Sequence, residues 1–167
     1  SAVIISTRGR PDIVRATVAA LKRQTAPPAR VFVIGSAPCD VAELDPCDPW
    51  LTVKIGRPGS SFQRNDGLAL VGDRYSYIVF FDDDFVPSRF WLERMERIFA
   101  ANPNIAGVTG HVLADGTRTS GIGLAEATAA VAERDNLTEP MGAGLERRFG
   151  YGSNVGCNMA YRASAIG

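Results

Sequence analysis

The run Tyr77-Ile78-Val79-Phe80-Phe81 constrains the fold more than any other stretch of the chain. Five consecutive apolar residues, β-branched or aromatic, leave no polar face, so a strand here must be covered on both sides. Such a strand belongs in the middle of a sheet with helices above and below it. Other apolar runs alternate with helical patterns in the way a parallel α/β sheet requires. Ala2-Val3-Ile4-Ile5 opens the chain, and Pro11 stands where the first turn of a helix accepts proline. Val14, Val18 and Leu21 then share one helical face. Val31 to Ile34 and Leu51 to Ile55 are the next two strands, separated by a loop rich in Gly, Pro and Asp from Gly35 to Pro49.

Ser60 or Ser61 is expected to cap a helix before the central strand, and Ser88 another after it, with Trp91, Met95, Ile98 and Phe99 packing inward. Alternation from Ala106 to Ala114 predicts a strand with Val108 and Val112 on one face, and a last strand is expected from Val155 to Tyr161. Leu124 to Arg134 reads as a weak helix, and glycines at 142, 144, 150, 152 and 156 mark a loop-rich region. The expected architecture is a three-layer α/β/α sandwich with a mostly parallel central sheet. A length of 167 residues suits one domain with a real core.

Eighteen basic and eighteen acidic residues cancel, and no Lys/Arg run offers a nucleic-acid footprint. An anionic substrate must therefore be held locally. Cys39, Cys47 and Cys157 form no CxxC pair and are read as small apolar fillers in a reducing compartment, and His111 cannot build a histidine-rich metal site alone. No signal segment or membrane-length apolar run is present, which points to the cytoplasm or the inner face of a membrane.

The central strand ends in Asp82-Asp83-Asp84. Three adjacent carboxylates raise one another's pKa, and a divalent cation relieves that cost. In an extended segment alternate side chains share a face, so Asp82 and Asp84 can turn to one ligand. Two carboxylates without histidine suit Mg2+ or Mn2+ bridging to a diphosphate. The strand end is also where open α/β sheets bind ligands.

Taken together, five passages resemble the family 2 glycosyltransferases, which have the Rossmann-like GT-A fold. They are Val3 to Pro11, Leu21 to Thr25 with the following strand, Pro58 to Gly67, Tyr77 to Pro87, and Gly156-Cys157-Asn158-Met159-Ala160-Tyr161-Arg162. The resemblance implies inverting transfer of a sugar from a nucleotide-diphosphate donor to a sugar, lipid or protein acceptor. It implies a nucleotide-sugar site at Thr7, Arg10, Arg64, Asp82 and Asp83, a metal held by Asp84 and Asp82, and an acceptor side at Gly156, Cys157 and Asn158. Residues 1–115 would form the nucleotide-binding part and 116–167 the start of the acceptor part.

Two departures are visible. The family's base-selecting aspartate after the second strand falls here at Gly35, followed by Ser36-Ala37-Pro38. The family's general base lies downstream of the last passage, so it is expected beyond Gly167, in a longer polypeptide of which this is a fragment. On that expectation residues 1–167 alone transfer sugar poorly. A sugar-phosphate nucleotidyltransferase is the alternative enzyme, although Ser6 to Pro11 lacks the longer glycine-rich loop and following lysine of that class. A non-catalytic nucleotide-sugar-binding module is the alternative without turnover. Of the other polar and aromatic residues, His111, Trp91 and the pair Arg147-Arg148 are read as structural or solvated, and Trp50 as a loop anchor or a sugar platform.

Overall fold

The structure is a computed structural model that describes residues 1–114, 121–137 and 156–166. Its centre is a six-stranded sheet in the order β3-β2-β1-β4-β6-β5. The strands are β1 Ala2–Thr7, β2 Arg30–Gly35, β3 Leu51–Ile55, β4 Tyr77–Asp82, β5 Gly107–Thr109 and β6 Asn158–Arg162. The first four run parallel, and β6 pairs antiparallel with both β4 and β5.

Alternation along the buried strands divides the core in two. Val3, Ile5, Val31, Val33, Val79 and Phe81 face α1 (Pro11–Lys22) and α3 (Trp91–Ala101), which contribute Val14, Val18, Leu21, Leu92, Met95 and Phe99. Ala2, Ile4, Phe32, Ile78 and Phe80 face the other way, onto Val71 of α2 (Ser60–Val71) and onto Ala163 and Ile166 of α5 (Ala163–Ile166). The result is the three-layer α/β/α arrangement. Gly67 lets α2 lie close on the sheet, because a Cβ there would come 2.4 Å from Ile4 Cγ2.

Several boundaries differ from the sequence reading. The helix α2 starts at Ser60 with Gly59 as its N-cap at φ +123°, so neither serine caps it by a side-chain bond. A left-handed backbone there favours glycine and leaves the serines inside the first turn. Ser88 lies two residues before Phe90, the N-cap of α3, where its hydroxyl oxygen accepts the Phe90 N–H and its hydroxyl donates to Asp135 of α4 (Leu124–Asn136).

The strand expected from Ala106 to Ala114 shrinks to Gly107–Thr109, because among the described residues its ladder partner β6 begins at Asn158. The Asn158 carboxamide takes over as acceptor for Gly110 N–H and the Thr109 hydroxyl, and His111 is left exposed outside the strand. Cys39 and Cys47 are exposed and only Cys157 is half-buried, which corrects the reading of all three as core fillers. Both exposed cysteines sit in the polar loop between β2 and β3, away from the apolar runs that form the core.

Candidate donor site at the strand ends

The connections β1 to β2 to β3 move outward in one direction, and the chain then crosses back through α2 to place β4 on the other side of β1. The gap between the carboxyl ends of β1 and β4 is thus the topological switch point, where doubly wound sheets bind ligands. Ser6 pairs with Asp82 in the β1–β4 register, so Thr7 and the aspartates emerge side by side.

The three aspartates separate by direction. Asp83 turns inward and is only 1% exposed, whereas the side chains of Asp82 and Asp84 are 35% and 55% exposed. Asp83 accepts the Thr7 hydroxyl at 2.7 Å and pairs with Arg10 Nη2 at 2.5 Å, while its carbonyl accepts the Thr17 hydroxyl. Burial pushes the Asp83 carboxyl above its ordinary range, against the pull of Thr7 and Arg10. Asp84 receives Arg10 Nη1 at 2.6 Å. Burial works against the Arg10 charge, but Asp83 and Asp84 outweigh it and raise its pKa. On the opposite side Arg64 Nη2 donates to Asp82 at 2.7 Å and to the Gly156 carbonyl at 2.8 Å.

The acceptor-side residues of the sequence reading adjoin the aspartates through the backbone. The Cys157 carbonyl accepts Asp82 N–H at 3.1 Å, and Asn158 is fully buried with its side chain committed to Thr109 and Gly110. Thr7 is 2% exposed and its hydroxyl is already donated.

Sequence reasoning missed two residues that hold these loops. Asp40, in the 3-10 turn Pro38–Val41, accepts Gly9 N–H from the β1 loop together with Ser36 N–H, the Ser36 hydroxyl and Ala37 N–H. Burial would raise its pKa, but these donors overcome that and bring it to about 2. Gln63 of α2 is 3% exposed and donates from Nε2 to the Thr7 and Ile34 carbonyls, tying the ends of β1 and β2 together. Asp40 carried a legible signal: an acidic residue at the third position of a short helical turn opened by Pro38. Gln63 carried none, since nothing in a helix pattern marks a buried amide.

Trp50 anchors its loop, donating Nε1–H to the Pro28 carbonyl, and Trp91 packs edge-on against Phe81. Arg147 and Arg148 lie outside the described residues.

Residues 2–166 match the family described as Glycosyl transferase family 2. The chain belongs to that family. A search among curated protein sequences found no match. Among solved structures it resembles a Pyrobaculum calidifontis mannosyltransferase in complex with GDP-Man and Mn2+ (22% identity, TM-score 0.52), covering 66% of this chain and 34% of that one. It also resembles Staphylococcus aureus TarS in complex with UDP-GlcNAc (17% identity, TM-score 0.51), covering 69% of this chain and 37% of that one. A third likeness, to the 4-diphosphocytidyl-2C-methyl-D-erythritol synthase of Anaerococcus prevotii (10% identity, TM-score 0.57), covers 99% of this chain and 70% of that one. These likenesses establish the fold. The chain thus spans about a third of the length of the mannosyltransferase and of TarS.

In this family 2 domain no group of three or more His, Cys, Asp or Glu side chains converges on one point among the described residues. The donor set on offer is two half-exposed carboxylates, Asp82 and Asp84, both hard oxygen ligands. Such a pair does not enclose a cation by itself. It does fit magnesium or manganese when phosphate oxygens and waters complete the shell. No described helix is long and apolar enough to cross a membrane.

Proposed function

We propose that this chain supplies the donor site of an inverting glycosyltransferase that uses a nucleoside-diphosphate sugar and a divalent cation. The observation that carries the reading is the division of the aspartate triplet at the β1–β4 switch point. One carboxylate is buried as a fixed support, and two face outward between guanidinium groups from opposite layers. Asp84 and Asp82 would hold Mn2+ or Mg2+. When bound, such an ion neutralises charge on the departing diphosphate.

The chain's own residues do the rest. Asp83, braced by Thr7 and Thr17, fixes the turn that aims its neighbours outward. Arg64 supplies a cation on the α2 side, and Arg10 one on the α1 side, where negative charge develops as the sugar leaves. Asp40 and Gln63 fix the ends of β1 and β2, the walls against which the nucleoside would lie. Asp40 already accepts four donors from its own chain, and Ser36 gives it both its N–H and its hydroxyl hydrogen, so base selection falls to Ser36 Oγ as an acceptor or to neighbouring backbone.

Calorimetric titration with UDP, GDP and dTDP, each with and without Mn2+, tests this reading on wild type and Asp84→Ala. Binding that requires both the metal and Asp84 is expected. Nucleotide binding that ignores both would refute the metal-bridged site.

A further inference from the structure

Arg10 stands in an unusual position for a ligand-binding cation. It is the N-cap residue of α1, and its side chain is 48% exposed. Its guanidinium forks across two carboxylates of different character. Nη2 meets the buried Asp83 at 2.5 Å and Nη1 meets the exposed Asp84 at 2.6 Å. The first contact compensates a charge that has no access to water. The second occupies a carboxylate that water could otherwise solvate, and that the proposed donor site needs for its cation.

We propose that Arg10 is a counterion that exchanges partners. Without ligand it holds both Asp83 and Asp84. When a divalent cation arrives with a nucleoside diphosphate, Arg10 keeps Asp83, releases Asp84 to the metal, and turns its freed Nη1 to the diphosphate. This rests on the donor-site reading and deepens it: Arg10 becomes a positioning residue that opposes the metal alone and favours the metal–nucleotide pair.

The electrostatics give the device its sign. A guanidinium and a divalent cation cannot share Asp84 without like-charge repulsion over a few ångströms. A diphosphate between them removes that repulsion by offering oxygens to both. The contact with Asp83 is the one that stays, because an unpaired buried carboxylate costs more than a broken half-exposed pair. A planar fork is what allows one side chain to serve two acceptors at once, and an ammonium group lacks that geometry.

The test is Mn2+ binding followed by the electron paramagnetic resonance signal of the free ion, with Mn2+ alone and with GDP or UDP present. Wild type, Arg10→Ala and Arg10→Lys are compared, and their folding is checked by thermal melting. Arg10→Ala should bind Mn2+ alone more tightly, by up to about fivefold, the scale of a half-exposed ion pair. With nucleotide present it should bind about tenfold or more weakly, the scale of a lost charge-assisted hydrogen bond.

Arg10→Lys still compensates Asp83 and should keep the wild-type melting temperature while showing the same two shifts, smaller in size. Shifts of the same direction with and without nucleotide in both variants would overturn the exchange and leave the donor-site reading standing. No Mn2+ binding to wild type under either condition would overturn both.

Discussion

Replacing Asp40 by Asn isolates the contribution of the residue that fastens the β1 loop to the β2 loop. Its carboxylate accepts three backbone N–H groups and one hydroxyl, and its pKa falls from the ordinary 3.8 to about 2. At ~1.36 kcal/mol per unit this corresponds to about 2 kcal/mol as a ceiling. Solvent around the loop brings it to about 1–2 kcal/mol. Because the folded pKa is the lower one, this stability is present above the unfolded value and lost as pH falls from about 4 toward 2.

An asparagine amide would also point a donor at donors, leaving one of them unmet at a cost of about 1 kcal/mol that does not change with pH. Urea unfolding of wild type and Asp40→Asn should therefore differ by about 2–3 kcal/mol at pH 7. By pH 3 the charge-dependent part should have shrunk by nearly half, following the titration curve between the two pKa values. Comparing the two proteins at each pH also removes Asp83, whose raised pKa acts in the opposite sense: its contribution is present at low pH and lost as pH rises. A difference that stays constant between pH 7 and pH 3 would refute the assignment of the low pKa to these donors.

Three further outcomes follow from the geometry. Asp83→Asn should lower the melting temperature measurably, because the amide disrupts the buried pairing with Thr7 and Arg10, whereas Asp84→Asn should melt like wild type and lose metal-dependent nucleotide binding. Equal melting losses for the two would contradict the inward and outward split. Gln63→Met should cost about 1–3 kcal/mol in urea unfolding by removing the donor shared by the Thr7 and Ile34 carbonyls, and unchanged stability would mean those carbonyls find other partners. Gly67→Ala should cost about 1–3 kcal/mol, since its methyl would meet Ile4 of the buried β1, and a neutral result would show that α2 can move off the sheet.

What the sequence disclosed, it disclosed through periodicity. Val14, Val18 and Leu21 lie on the buried face of α1, and the unbroken apolar run from Tyr77 to Phe81 is the strand covered from both sides. Pro11 occupies the first turn of α1, where it lacks no needed hydrogen bond. Pairing direction was not legible in the same way. Asn158–Arg162 reads as a strand in isolation, but nothing in those five residues says that it runs against β4.

Nor could alternation alone reveal where β5 ends, because that depends on how far a partner strand extends. The side-chain staples were hidden for a related reason. Asp40 reaches Gly9 and Gln63 reaches Thr7 and Ile34 across tens of residues, and only the assembled loops bring those backbone groups within reach; the contacts of Asp40 with Ser36 and Ala37 are local.

The aspartate triplet shows how a strand end can carry three like charges in a stable protein. Strand β4 ends at Asp82, and the turn that follows it, closed by the Phe85 N–H on the Asp82 carbonyl, sends Asp83 into the core and leaves Asp82 and Asp84 toward solvent, so the three do not compete for one volume. Each of the outward pair then receives a guanidinium from a different layer: Arg10 from the head of α1, and Arg64 from within α2. The site is therefore a joint product of the two helices that flank the switch point, and neither layer could supply it alone. On the proposed reading the two duties divide: Asp83 serves stability, and the outward pair would serve ligand binding. A cation that takes Asp84 would displace Arg10 from it, and the loop would tolerate that exchange because Asp83, buried and separately braced by Thr7 and Thr17, keeps the turn in place.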